Sequence, residues 1–385
     1  MRVLFCCRPA YGHVYPLLPL AAACRDVGHD VLWGTGEGFV KRLEAFGFRV
    51  QRVGISIPEA DERVLREQPE LGDLPREERF RIGVAVFGDV LPRHTIADLL
   101  PLLHEAAPDL VVYDETDAGA PIAAAIAGIP ATAHSLGRQV PEMVRRAVVA
   151  PLHQVWHEYD PGAAPHDFFT ANAYIDICPP SLQDPDASHA GERILLRPDS
   201  PPDVGGELPD WVTGERSRPL VYVTLGTYVH GQVDSLRAAV EGLGALAVDA
   251  LVTVGPDGDP AGLGPLPDSV RVERFVSQAA LLARVDVVAH HCGSGTMLGA
   301  LWHGLPQLAM PHGADQFANA QALLDSGAGR RLLPEEITAE AVAEAVRALL
   351  VEPEYREAAR GLAAEIAAMP SPTEVVCDLE RLRAG

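Results

Sequence analysis

A chain of 385 residues exceeds what one hydrophobic core usually serves, so two domains are expected. Its 48% hydrophobic and 22% charged residues exclude a mainly disordered chain or a coiled coil. The net charge is −22, Lys41 is the only lysine and the arginines do not cluster, which argues against a nucleic-acid backbone as partner.

The six cysteines, Cys6, Cys7, Cys24, Cys178, Cys292 and Cys377, include no C-x-x-C pair, so reduced thiols are expected rather than disulfides or a zinc site. No apolar run approaches the ~20 residues of a spanning helix. The opening MRVLFCC has too short an apolar core for a secretory signal before Pro9 interrupts it. A soluble, cytoplasmic protein is expected.

RVLFCC reads as a buried strand, PLLPLAAACRDVG as a helix and HDVLWGT as a second strand. PDLVVYDE, DAGAPIAAAIAG and IPATAHS then give strand, helix and strand. Two long segments, Ile55 to His94 and Arg138 to Tyr174, read as irregular insertions suited to binding loops. They carry Phe80, Phe87, Trp156, Tyr159, Phe168 and Phe169, which suit either an apolar acceptor pocket or local core. A stretch dense in Pro, Gly and charge comes next, and residues 201–219 read as a linker.

The alternation then restarts. LVYVTLGT, DALVTVG, SVRVERF, DVVAHH and LPQLAMP read as strands, with helices at QVDSLRAAVEGLGAL, QAALLARV, GTMLGALWHG and DQFANAQALLDSG. This pattern predicts an α/β fold of two doubly wound, Rossmann-like domains facing each other across a cleft, with ligands at the carboxyl ends of the strands. The expected boundaries are 1–200 and 220–367, with 368–385 a terminal helix packing back on the first domain.

In DVVAHHCGSGTMLGALWHGLPQLAMPHGADQ a strand runs into His291, Cys292, Gly293, Ser294, Gly295 and Thr296 before a helix starts. Small residues let an anion approach the backbone, and the helix start offers unpaired N–H groups and partial positive charge. Ser294, Thr296 and His291 add side-chain donors, giving a phosphate cradle that needs no lysine.

The order His-Cys-Gly, Gly-x-Pro and Asp315-Gln316, together with RPLVYVTLGT, RVERFVSQAALL and EIAAMPSPTEVV, resembles family 1 glycosyltransferases of the GT-B fold. The resemblance is nearest to bacterial enzymes that decorate polyketides, macrolides and enediynes. It implies that His291, Gly293, Ser294, Gly295 and Thr296 hold a diphosphate, with Gly226 and Thr227 lining the phosphate side. It implies that Val276 pairs the nucleotide base through its backbone with Gln278 nearby, and that Asp315 and Gln316 meet sugar hydroxyls. Ser277 stands where the family usually has proline. Asp315 could also simply cap its helix.

The same resemblance places a general base at His13, in GHVYP (Gly12, His13, Pro16), on the loop after the first strand. Histidine suits proton abstraction near neutral pH. LVVYDETD offers Asp114, Glu115 and Asp117 to orient it; Asp114 is the family-aligned choice, and whether Asp114 or Asp117 serves is left open. The implied reaction is an inverting transfer of a sugar, a deoxysugar in this family, from a thymidine or uridine diphosphate to a hydrophobic natural-product hydroxyl. No metal and no cofactor is expected. Asp184 and Asp186 form a D-x-D, but in a Pro-rich loop that suits a solvated turn.

The rival readings are a non-catalytic nucleotide-sugar-binding protein and an epimerase or hydrolase of the same fold. A nicotinamide oxidoreductase is disfavoured because GTGEGF comes after the second strand rather than the first. Acceptor, sugar, base, oxygen or carbon attack and oligomeric state stay open.

Overall fold

The computed structural model describes residues 1–75, 78–160, 172–187, 191–199, 208–226, 233–255 and 258–383. Thr227, Phe168, Phe169 and the stretch 201–207 lie outside them. The chain forms two units. One comprises Met1–Ile177, Asp184–Leu196 and the end of the chain from Pro370; the other comprises Cys178–Gln183 and Arg197–Met369.

The first unit is built on β1 (Arg2–Cys6), β2 (Asp30–Thr35), β3 (Arg49–Arg52), β4 (Leu110–Asp114), β5 (Ala131–His134), β6 (Ala173–Asp176) and β7 (Arg193–Leu195). They pair in the order β3-β2-β1-β4-β5-β6-β7, every neighbour parallel. The second unit carries β8 (Leu220–Thr224), β9 (Asp249–Thr253), β10 (Val270–Glu273), β11 (Val287–His290), β12 (Gln307–Ala309) and β13 (Gly329–Arg331). Their order is β10-β9-β8-β11-β12-β13, again all parallel. A parallel sheet is covered on both faces, which is why β4 and β8 are buried at every residue and are apolar up to their last residues, Asp114 and Thr224.

The strand order reverses between β1 and β4 in one sheet and between β8 and β11 in the other. At such a point the connecting chains leave in opposite directions and open a crevice beyond the strand ends. Cys6 pairs with Tyr113, so β1 and β4 end almost level. The residues just beyond the carboxyl ends of these four strands therefore line the two crevices.

Two expectations are corrected. The first helix spans Tyr11–Asp26, so His13 belongs to its opening turn rather than to a loop. Pro16 and Pro19 do not stop it; both lie inside the helix, among the buried Val14, Leu17, Leu18 and Leu20, and tertiary packing outweighs the lost hydrogen bonds. Nor are the described parts of the two long segments irregular throughout. The first holds helices Ile57–Glu67 and Phe80–Ala85, a π-helical turn Val86–Val90 and the start of Leu91–Ala106; the second holds Glu142–Tyr159. Ser56 and Glu59 form a capping box that was readable as S-x-x-E. Ser371 and Glu374 form another, opening the helix Pro372–Leu382, which packs against Tyr11–Asp26 in the first unit.

Candidate active site

In the first unit the crevice between β1 and β4 holds a charge cluster. The Nδ1 of His13 lies 2.5 Å from Oδ2 of Asp114. The other oxygen, Oδ1, accepts from the backbone N–H and the hydroxyl of Thr116, each at 2.8 Å. Asp114 is fully buried. Burial alone would push its carboxyl up, but His13, Arg8 and the Thr116 N–H bring it down to about 2. An ionised carboxylate can only accept, so Nδ1 of His13 carries a proton, and in the neutral ring Nε2 is the nitrogen that holds the lone pair.

Asp117 has a different partner. Arg8, itself buried, places Nη2 3.7 Å from Asp117 Oδ1 and donates to the Thr116 carbonyl at 2.7 Å. Its guanidinium also lies over the Phe87 ring, 5.3 Å from the centroid. Glu115 turns away as well: its oxygens accept from the Tyr174 hydroxyl and the Leu136 N–H. Burial pushes the Glu115 carboxyl up to about 8. Beside Asp114 in the sheet, His134 donates from Nδ1 to the Ser135 carbonyl, and burial lowers it to about 4.

In the second unit β11 ends at His290, and the chain turns through His291, Cys292 and Gly293 into the helix Ser294–Trp302. Cys292 takes the left-handed conformation, φ 64°, uncommon without glycine. The His290 ring accepts from the Cys292 N–H at 3.0 Å, so its proton sits on Nε2 and goes to Gln307 Oε1 at 2.6 Å. This buried pair holds the turn from beneath. The His291 ring lies against two glycines. A Cβ on Gly226, φ 80°, would come within 2.8 Å of it, and one on Gly293 within 2.4 Å. Burial lowers His291 to about 4, and its Nδ1 is buried without a partner among the described residues. A Cβ on Gly295 would meet open space.

Ser277, in place of the family's proline, caps the short helix Gln278–Leu282 with its side chain. The Val276 side chain packs in the core beside it, and Gln278 donates to the Thr296 hydroxyl at 3.2 Å, joining the two helix starts. Asp315 precedes the helix Gln316–Asp325 but makes no side-chain cap; its Oδ2 accepts from Ser294 Oγ at 3.2 Å and Asn319 Nδ2 at 2.9 Å. Gln316 Oε1 accepts from the His312 and Gly313 N–H groups, leaving the Nε2 hydrogens to offer a ligand.

The structure thus gathers His13 and Asp114 in one unit, and Gly226, Val276, Gln278, His291, Gly293, Ser294, Gly295, Thr296, Asp315 and Gln316 at the strand and helix ends of the other. Sequence reasoning missed Arg8, Thr116, His290, Gln307 and Asn319. All five adjoin or lie within stretches already singled out, but none was given a role there. The D-x-D is a local turn, with the Asp186 N–H bonded to Asp184 Oδ1. Among the described residues no group of three or more His, Cys, Asp or Glu is placed to hold a metal, and no helix is long and apolar enough to cross a membrane.

Profiles of the erythromycin biosynthesis protein CIII-like family match residues 22–226 with the N-terminal domain and 239–382 with the C-terminal domain. This chain belongs to that family. It is a family 1 tailoring glycosyltransferase of the GT-B fold. Elloramycin glycosyltransferase ElmGT of Streptomyces olivaceus is 32% identical, over 98% of this chain and 97% of that protein. L-demethylnoviosyl transferase of Streptomyces niveus is 30% identical over 97% and 96%. The crystal structure of SsfS6, a glycosyltransferase of Streptomyces sp. SF2575 complexed with thymidine diphosphate, superposes with a TM-score of 0.80, at 28% identity and 99% coverage of each chain.

Proposed function

We propose that this glycosyltransferase moves a sugar, a deoxysugar on the family likeness, from a thymidine or uridine diphosphate to a hydroxyl of a hydrophobic natural product. The reaction is a single inverting displacement with His13 as general base. One observation carries the reading: the Asp114 carboxylate, 2.5 Å away, holds the His13 proton on Nδ1 and so exposes Nε2 as a base. The thymidine diphosphate bound to SsfS6 and the natural-product names of ElmGT and its kind support the two substrates.

The acceptor O–H gives its proton to Nε2 as its oxygen bonds to the anomeric carbon. The bond from that carbon to the diphosphate oxygen breaks, and the electron pair leaves with the diphosphate. His291, Gly293, Ser294, Gly295 and Thr296, with Gly226 beside them, receive that charge through N–H groups at the helix start, and the family likeness adds Thr227 to this set. One lost donor of this kind costs on the order of 100-fold in rate. The Val276 backbone and Gln278 flank the base, and Asp315 and Gln316 face the sugar.

The test is His13→Ala, assayed by mass spectrometry against a panel of nucleotide sugars and polyketide aglycones. Transfer should fall on the order of 100- to 10,000-fold, the usual worth of a positioned base, while calorimetric nucleotide-sugar affinity stays unchanged. An unaltered turnover rate removes His13 from the chemistry. Nucleotide release without any glycosylated product points to hydrolysis instead.

A further inference from the structure

Asp315 and Ser294 come from separate segments, 21 residues apart, yet their side chains touch. Asn319 holds them together. It lies one turn beyond Asp315 on the helix Gln316–Asp325 and is 1% exposed. Its Nδ2 is 2.9 Å from Asp315 Oδ2, 3.1 Å from Ser294 Oγ and 3.1 Å from the carbonyl of Cys292.

An amide nitrogen has two hydrogens and cannot accept. Asn319 therefore donates to all three, with one hydrogen shared. Ser294, accepting from Asn319, turns its own hydrogen to Asp315 Oδ2. The result is a closed ring of donors ending on one carboxylate oxygen. Asp315 Oδ2 is thereby occupied and Oδ1 is the oxygen presented outward. The third bond fixes the carbonyl of Cys292, the left-handed residue on which the turn pivots.

We infer that Asn319 is a positioning residue of the donor half, which selects the Asp315 oxygen offered to the sugar and locks the phosphate turn to the sugar-binding segment. The inference rests on the reading of Asp315 as a sugar ligand. Asn319 touches neither sugar nor phosphate; it acts through Asp315, Ser294 and Cys292. An ordinary buried asparagine would support the fold alone, whereas this one sets how much the sugar adds to nucleotide affinity.

The experiment compares, by calorimetry, the affinity for a thymidine-diphosphate hexose with that for thymidine diphosphate alone. In Asn319→Ala the ratio of the two should fall about tenfold. In Asn319→Asp it should fall further at neutral pH, because the introduced carboxylate repels Asp315 Oδ2. It should recover as the pH is lowered and the two carboxyls share a proton. The titratable groups around them are Asp315, His290, His291, His312 and Cys292, so the wild-type ratio at each pH is the reference. An unchanged ratio in Asn319→Ala overturns the inference. So does an equal loss of both affinities and of thermal stability in both variants without recovery at lower pH. A ratio unmoved by Asp315→Ala overturns the sugar-ligand reading itself, and the inference with it.

Discussion

Replacing Asp114 by asparagine should harm catalysis more than replacing it by alanine. Both oxygens of Asp114 are engaged, but by different partners. Oδ1 faces two donors, the N–H and the hydroxyl of Thr116, each at 2.8 Å. In Asp114→Asn the amide oxygen must take that position, since an NH2 group there would face two donors with none to accept. The NH2 then falls where Oδ2 was, against His13 Nδ1. It can only donate, so Nδ1 must accept and the ring proton moves to Nε2. The base is then capped on the very nitrogen that must receive the acceptor's proton.

A wrong tautomer of this kind in a histidine–carboxylate pair costs on the order of 10,000-fold in kcat, about 5 kcal/mol of barrier. Asp114→Ala imposes no tautomer. The ring is merely unguided, and misplacement costs on the order of 100-fold. Single-turnover transfer at saturating donor and acceptor separates the two, with thermal melting to confirm that each variant is folded. Asparagine equal to wild type, or faster than alanine, would refute the tautomer argument and the role given to His13 with it.

Gly293→Ala and Gly226→Ala should each weaken nucleotide-diphosphate binding tenfold or more while leaving the first unit's stability unchanged. The new Cβ meets the His291 ring within 2.4 or 2.8 Å and displaces it; calorimetry with the free diphosphate checks this. Acid should unfold the second unit before the first. His290 and His291, held at about 3 and about 4 by burial, bind fewer protons folded than unfolded, so their contribution is complete above pH ~6.5 and is lost as pH falls toward those values, by about 1.4 kcal/mol per pH unit each. In the first unit the same loss from His134, at about 4, is offset by Glu115, which at about 8 gains stability as pH falls through that value. Hydrogen exchange between pH 7 and 5, read by region, should show the second unit opening more; equal opening contradicts this balance.

What was legible in the sequence is what repeats along the chain. Buried parallel strands must be apolar on both faces, so VLFCC, LVVYD and LVYVT announced themselves, and the glycines around His291 marked a strand end where the backbone must stay bare. Identity of the orienting carboxylate was less legible, because Asp114, Glu115 and Asp117 lie within four residues and each could have been drawn toward His13. Their separation depends on Arg8, Leu136 and Tyr174, which come from three other places in the chain, and on Thr116, between Glu115 and Asp117. The helices in the first unit's long segments were hidden for another reason. In the first segment the apolar residues Ile55, Ala60, Val64, Leu71, Val86 and Leu91 form a separate small cluster, whereas in the second Val148, Leu152, Val155 and Trp156 join the unit's main core from a helix interrupted in sequence by Pro151.

The three neighbouring carboxyls also show why partner geometry matters more than residue type. Each is buried, and burial alone would neutralise all three. Asp117 has the longer 3.7 Å contact to Arg8 and side-chain bonds from Thr95 and Cys6, yet burial keeps its carboxyl above the ordinary value. Glu115 accepts from two neutral donors and is raised to about 8. Asp114 alone combines a ring N–H with two donors from Thr116 and the nearby Arg8 charge, and is held at about 2. At neutral pH Asp114 is therefore a permanent anion and Glu115 a neutral acid. A carbonyl would also keep an imidazole proton on Nδ1, as the Ser135 carbonyl does for His134, but in the proposed mechanism the anion in addition steadies the positive charge formed as Nε2 takes a proton from the acceptor. In the proposed mechanism the tautomer of His13 is thus fixed by Asp114, which its own donors and the nearby Arg8 charge keep ionised.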